Sequence, residues 1–140
     1  MATTIQSLID QIRDRLKAAA ALAPPPLPSV ANVGTPGATS YSYKVTATNS
    51  TGETTPSDAV TTTTGNATLD GTNYNQVTWA QVYGATGYKL YRLDTTYKLI
   101  YTISSGSTLS QNDQGAAVGA AAPSTNTTGV NDQLWSDTEL

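Results

Sequence analysis

The run Pro24-Pro25-Pro26-Leu27-Pro28 divides this chain into two parts that cannot share a secondary structure. Proline lacks the backbone N–H that a helix interior or a central strand uses, and its fixed φ favours a polyproline II extension. Before the run, apolar residues recur at helical spacing; after it, they alternate. A helix on one side and a β-structure on the other, joined by a stiff segment, is the expectation that follows.

On the helical side, Ile5, Ile9, Ile12, Leu16 and Ala19 recur at alternating steps of four and three, which predicts a helix from Thr3 to about Leu22. Thr3 and Gln6 fit a capping box, the hydroxyl taking an unpaired backbone N–H while the amide reaches back. Asp10, Arg13, Asp14 and Lys17 lie off the seam on a solvated side. The seam, with Leu8 beside it, either packs on the chain's own β-domain or meets a partner. A Pro spacer that stands the helix away from its own sheet favours the partner, by self-association or docking. Ile at both core positions favours a trimer or higher homo-oligomer over a dimer.

Beyond the prolines the period becomes two. Tyr41, Tyr43, Val45 and Ala47 share one face of a strand, with Ser42, Lys44, Thr46 and Thr48 on the other. Asn49-Ser50-Thr51-Gly52 supplies turn chemistry before a second strand, Ala59 to Thr64. Val77, Trp79 and Val82 follow on one face. Then Tyr88, Leu90 and Arg92 alternate with Lys89, Tyr91 and Leu93, and two further strands span Tyr97 to Ile103 and Thr108 to Gln111. Tyr43, Val45, Trp79, Tyr88 and Leu90 are the expected core anchors. About seven short strands with regular turn signals suggest a sandwich or barrel. The chain thus divides into an assembly or anchoring helix (1–23), a Pro-rich linker (24–37), a β-sandwich (38–117) and an extended arm (118–140). In the arm, Leu134, Trp135 and Leu140 stand among Asp132, Asp137 and Glu139. They read either as a docking peptide or as an unstructured tail.

Composition narrows the chemistry. Of 140 residues, 25 are Thr and only 12% are charged, with a net charge of −3. The few Lys and Arg are not clustered, so nucleic acid is not an expected partner. The longest apolar stretch, Ala18 to Ala23, is far short of a membrane span, and the N-terminus lacks the basic n-region of a signal peptide. With no His and no Cys, the commonest general base and thiol nucleophile are missing, and no thiolate metal site exists. Asp58, Asp70, Asp94 and Asp113 all adjoin turn residues, where accepting local backbone N–H bonds is the ordinary role. Asp70-Gly71-Thr72-Asn73 and Asn112-Asp113-Gln114-Gly115 offer oxygen ligands but no repeated Asp spacing, so they read as turns rather than calcium loops. The Asn-x-Ser/Thr patterns at Asn49, Asn66 and Asn126 are assigned no function. No catalytic residue, metal or cofactor is expected, and the chain reads as non-enzymatic. Tyr74, Tyr83, Tyr91, Tyr97 and Tyr101 cannot all enter one small core with Trp79. Those outside either pack across strands or stack on sugar rings, and packing is the more ordinary use.

Two segments carry a family resemblance. VTWAQVYGATGYKLYRL, Val77 to Leu93, resembles the B and C strands of fibronectin type III domains, with Trp79 as the buried tryptophan. SYSYKVTATNSTGETTPSDAVTTTT, Ser40 to Thr64, resembles that family's F and G strands. Their order departs from the family: the F–G-like hairpin precedes the B–C-like pair. The module is then a rearranged sandwich, closed within one chain or by a neighbour. Thr63 to Leu69, Gly84 to Arg92 and Ala122 to Gly129 look like repeats of tailed-bacteriophage fibre and other virion proteins. The resemblance implies a mainly β, fibronectin type III or Ig-like sandwich. It further implies a virion structural protein, a short fibre, neck or tail adaptor, or head-attached appendage, made in the host cytoplasm. Its partners would be portal, neck, tail or capsid proteins. Capsid decoration, or a module that binds a host-surface glycan through exposed tyrosines, is the alternative.

Overall fold

The computed structural model describes residues 4–129, apart from the side chains of residues 16–20. Helix α1 spans Ile5–Ala20. Seven strands follow among the described residues: β1 (Ser29–Val33), β2 (Thr39–Thr48), β3 (Val60–Gly65), β4 (Tyr74–Thr78), β5 (Gly87–Asp94), β6 (Thr96–Ile103) and β7 (Ser110–Asp113). They form two antiparallel sheets, one in the order β1-β4-β7 and the other β3-β2-β5-β6. The protein is mainly β, a sandwich preceded by one helix.

Pairing places the inward residues of neighbouring strands opposite one another. Val45 faces Leu90 and Ala47 faces Tyr88 across β2 and β5, and Tyr88 faces Ile103 across β5 and β6. Against them the second sheet and its flank contribute Val77, Trp79 and Val82, and all of these are buried in one core. The Trp79 and Tyr88 rings meet at 5.5 Å with a 56° tilt, within the favoured range for an aromatic pair. Tyr43, Val45, Tyr88 and Leu90 retain no exposure.

Three expectations need correction. The helix is capped by Thr4, whose hydroxyl accepts from Ser7 N at 3.1 Å; Thr3 lies outside the described residues. The helix also stops at Ala20, because Leu22 turns into the core of the sandwich. Most consequentially, residues 24–37 are not a free linker. Leu22, Pro25 and Pro28 are all buried. That is the repeat of a polyproline II helix, about three residues per turn, which lays one apolar face on the sandwich. The run then continues as β1, with Ser29 opposite Thr78. A proline just before the first strand residue removes no ladder hydrogen bond, so the change of conformation costs little.

The stretch expected to be a free arm from residue 118 is docked over its described length. Residues 119–122 run along the outer edge of β6, Leu99 N donating to Ala120 O at 2.8 Å and Gly119 N to Leu99 O at 2.7 Å. Lys98 and Ala121 form a bridge there. An open strand edge is a template for unwanted pairing, and this segment covers it.

Candidate functional site

The first candidate surface is the helix seam. Ile5 is 79% exposed, Leu8 52% and Ile12 48%, whereas Ile9 is half-buried. The side chain of Leu16 is not described, and Leu134, Trp135 and Leu140 lie outside the described residues. A 16-residue helix therefore presents a row of large apolar groups to solvent. Local sequence explains the helix itself: Thr4 caps it, and Arg13 pairs with Asp10 at 2.9 Å one turn apart.

The helix leaves the sandwich at a defined place. Leu22 N donates to Thr128 Oγ1 at 2.8 Å, and Asn126 Nδ2 donates to Leu22 O at 2.7 Å. Asn49 Nδ2 donates to Thr128 O at 3.0 Å, tying in the β2–β3 connection. Thr127 N donates to Glu53 O at 2.9 Å, and Glu53 N to Thr127 Oγ1 at 3.0 Å. Gly52 stands so close to Thr127 that a Cβ would overlap it. On the other side, Leu22 packs on Gly84, whose φ of +87° is available to glycine at little cost. A residue 106 positions away thus fixes the start of the sandwich.

Between the sheets runs a string of polar groups that sequence reasoning did not find. Arg92 Nη1 donates to both Asp113 carboxylate oxygens at 2.8 and 2.7 Å, and its Nη2 to Ala116 O at 2.7 Å. The Tyr43 hydroxyl donates to Asp113 Oδ2 at 2.8 Å and accepts from Asn75 Nδ2 at 2.8 Å. Asn32 Nδ2 donates to Asn75 Oδ1 at 2.6 Å, and Asn32 Oδ1 accepts from the Thr62 and Thr64 hydroxyls at 2.7 and 2.8 Å. The string links β5, β7, β2, β4, β1 and β3 in turn. Burial pushes the Tyr43 hydroxyl far above the usual phenol range, with the Asp113 carboxylate adding to the rise. It therefore stays a protonated donor at neutral pH.

On the outer face of the larger sheet, Glu53 collects Thr46 Oγ1 at 2.6 Å, Lys89 Nζ at 3.0 Å and the Tyr91 hydroxyl. Burial alone would raise the Glu53 carboxyl, but the bonds from Thr46, Tyr91 and Lys89 together outweigh it and hold the group below its ordinary value. Burial and the Glu53 carboxylate push the Tyr91 hydroxyl up. Tyr91 is thus packed under a polar layer, while Tyr83 is 98% exposed. Asp70 keeps the turn role, its Oδ1 accepting from Thr72 N at 2.8 Å and Asn73 N at 2.7 Å. These backbone bonds from Asn73 and Thr72 lower its carboxyl. Among the described residues no three acidic, His or Cys side chains gather as a metal would require, and no helix is long and apolar enough to cross a membrane. Comparison with family models, curated proteins and solved structures finds no match to this chain.

Proposed function

We propose that this protein is a non-enzymatic structural component of a tailed-bacteriophage virion, assembled through its N-terminal helix. The observation that carries the reading is the exposed row Ile5, Leu8 and Ile12 on a helix rooted in the sandwich by Leu22. Burying three aliphatic side chains is worth about 1.5–3 kcal/mol each. Like helices meeting along this seam gain that for every copy, and where Ile9 joins Ile5 and Ile12 in the core, Ile on both rows favours a trimer or larger bundle. The sandwich then projects from the bundle, and the partners are portal, neck, tail or capsid proteins.

The family side of the reading draws support from strand order. If the Ser40–Thr64 hairpin, β2 and β3, corresponds to F and G, and β4 and β5 to B and C, the order β3-β2-β5 is G-F-C. Ig-like sandwiches keep C, F and G together in one sheet and A, B and E in the other. β1, β4 and β7 then take the places of A, B and E. The chain visits those places in a permuted sequence, and the sandwich needs no strand from a neighbour.

Sedimentation of the full chain tests the assembly reading. The expected species is a trimer or larger, which Ile5→Ser, Leu8→Ser and Ile12→Ser together reduce to a monomer with an unchanged sandwich melt. A full chain that stays monomeric at high concentration sinks self-association. Removal of residues 1–20, which spares the core residue Leu22, should also abolish incorporation into particles, and normal copy number after removal overturns the anchoring role.

A further inference from the structure

The outer face of the larger sheet carries a cleft that neither the core nor the helix seam accounts for. It is an open depression of about 440 Å³, within the range of about 300–1,000 Å³ usual for small-molecule sites. Its walls are Pro56, Ala121, Ala122 and Pro123; Lys44, Thr96 and Tyr97 supply its polar groups. The docked segment after β7 builds one side of it, so it exists only because residues 119–122 lie along β6.

Lys44 is the exceptional member. The other cations of the sandwich each face a carboxylate: Lys89 with Glu53, Arg92 with Asp113 and Lys98 with Asp94. Lys44 makes no ion pair and donates no hydrogen bond among the described residues. Its ammonium lies 4.7 Å from the centre of the Tyr97 ring, a cation–π contact that positions the charge without neutralising it. The Tyr97 hydroxyl is held by Ser42 Oγ at 2.8 Å, and Ser42 in turn by Thr61 Oγ1 at 2.9 Å, so the ring is fixed from beneath. A half-buried lysine with its ammonium donors unused, beside two hydroxyls and apolar walls, is complementary to a ring bearing a carboxylate.

We propose that this cleft binds a carboxylate-bearing sugar, the acidic unit of a glycan, with Lys44 on the carboxylate, Thr96 and Tyr97 on ring hydroxyls, and Pro56 and Pro123 against the apolar face of the ring. An acidic peptide fits less well. Peptides commonly bind by adding a strand to a sheet edge, and the adjacent edge of β6 is already occupied by residues 119–122. A phosphate group would call for the several backbone N–H donors of a loop or helix N-terminus, and the cleft offers one lysine. The site shares no residue with the helix, so it stands or falls independently of the assembly reading.

Isothermal titration and saturation-transfer NMR on the full chain test it, with tri-galacturonate and N-acetylneuraminate as probes. The comparison set is neutral galactotriose, acetate and the peptide VNDQLWSDTEL. Expected is binding of at least one acidic sugar, about tenfold or more tighter than the neutral sugar, weakened by added salt. Lys44→Met should weaken it about tenfold with the melting temperature unchanged, and Lys44→Arg, which keeps the charge, should restore most of the affinity. The proposal is overturned if no acidic sugar binds, or if acetate or the neutral sugar binds equally well. It is overturned also if the peptide displaces the sugar, or if Lys44→Met leaves affinity intact.

Discussion

The sandwich and the helix solve opposite problems. Inside the sandwich, polar groups that water would otherwise serve are taken out of it and paired with one another, from Arg92 and Asp113 to Tyr43 and Asn75. On the helix, apolar groups that water disfavours are left in it. A buried polar string contributes little net energy but fixes which strands are neighbours, because any other arrangement leaves donors unpaired. An exposed apolar seam specifies nothing within the chain and gains only when something covers it. One region is complete; the other implies a counterpart.

The contrast breaks most sharply if the string proves dispensable. Asp113→Ala leaves Arg92 half-buried without its anion, a loss of about 3–5 kcal/mol against a total of about 5–15 kcal/mol for a domain. Chemical denaturation should show the midpoint shifted far toward lower denaturant, in proportion to that loss. Arg92→Met combined with Asp113→Leu should recover much of it, since two apolar groups of similar volume leave no charge uncompensated. A single variant within about 1 kcal/mol of the parent would mean that the string is decoration.

The second test concerns the corner where the two regions join. Thr128→Val keeps the shape of the side chain but deprives Leu22 N of its acceptor, and a buried unpaired donor costs about 1–3 kcal/mol. Hydrogen exchange should accelerate at Leu22 while the amides of β2 and β5 are less affected. Unchanged protection at Leu22 would show that the apolar contact with Gly84 and the Asn126 bond to Leu22 O hold the helix root without Thr128.

The period-two face Tyr43, Val45 and Ala47 was legible in the sequence because alternation is a local property of a strand, and the turn at Asp70 because its donors lie within three residues. The proline run is the harder stretch, for a physical reason. Proline chemistry signals a breaker and spacer, whereas the threefold repeat Leu22, Pro25, Pro28 carries an apolar face of its own. Asp113 adjoins turn residues, and it does accept from Gly115 N at 3.0 Å. Its partnership with Arg92, 21 residues earlier, has no local signature. One signal was present: Arg92 falls on the inward side of the Tyr88, Leu90 alternation, and an inward guanidinium requires an anion. The Lys44 cleft is hidden altogether, because its lining comes from four separate stretches of chain.

A smaller effect sharpens the picture of a sandwich optimised at its core rather than at its rims. Thr95, between the paired residues Asp94 and Thr96, has a φ of +57°, a left-handed conformation unfavourable for a β-branched residue. Thr95→Gly should stabilise the β5–β6 hairpin by up to about 1 kcal/mol, read as a rise in melting temperature. A fall instead would mean that the short bond from Thr95 Oγ1 to Asp94 O, 2.6 Å, outweighs the strain.

The smallest effect asks whether the outer polar layer works like the inner one. Glu53 is held below its ordinary value by Thr46, Tyr91 and Lys89 acting together against its burial. A carboxyl whose folded value is depressed binds fewer protons folded than unfolded between those two values. Its contribution is therefore fully present above the unfolded value, about 4.3, and is lost as pH falls through the lower folded value. Denaturation midpoints should accordingly drop as pH is taken from about 5 downward, and Glu53→Gln should flatten that part of the profile while costing stability at neutral pH. Asp70, whose carboxyl is also lowered, is the control: Asp70→Asn retains an oxygen acceptor for the turn and should alter the slope less. Equal slopes for the parent and Glu53→Gln would mean that Lys89 and Tyr91 draw no net stabilisation from this carboxylate, and that pairing matters only where the sandwich excludes water.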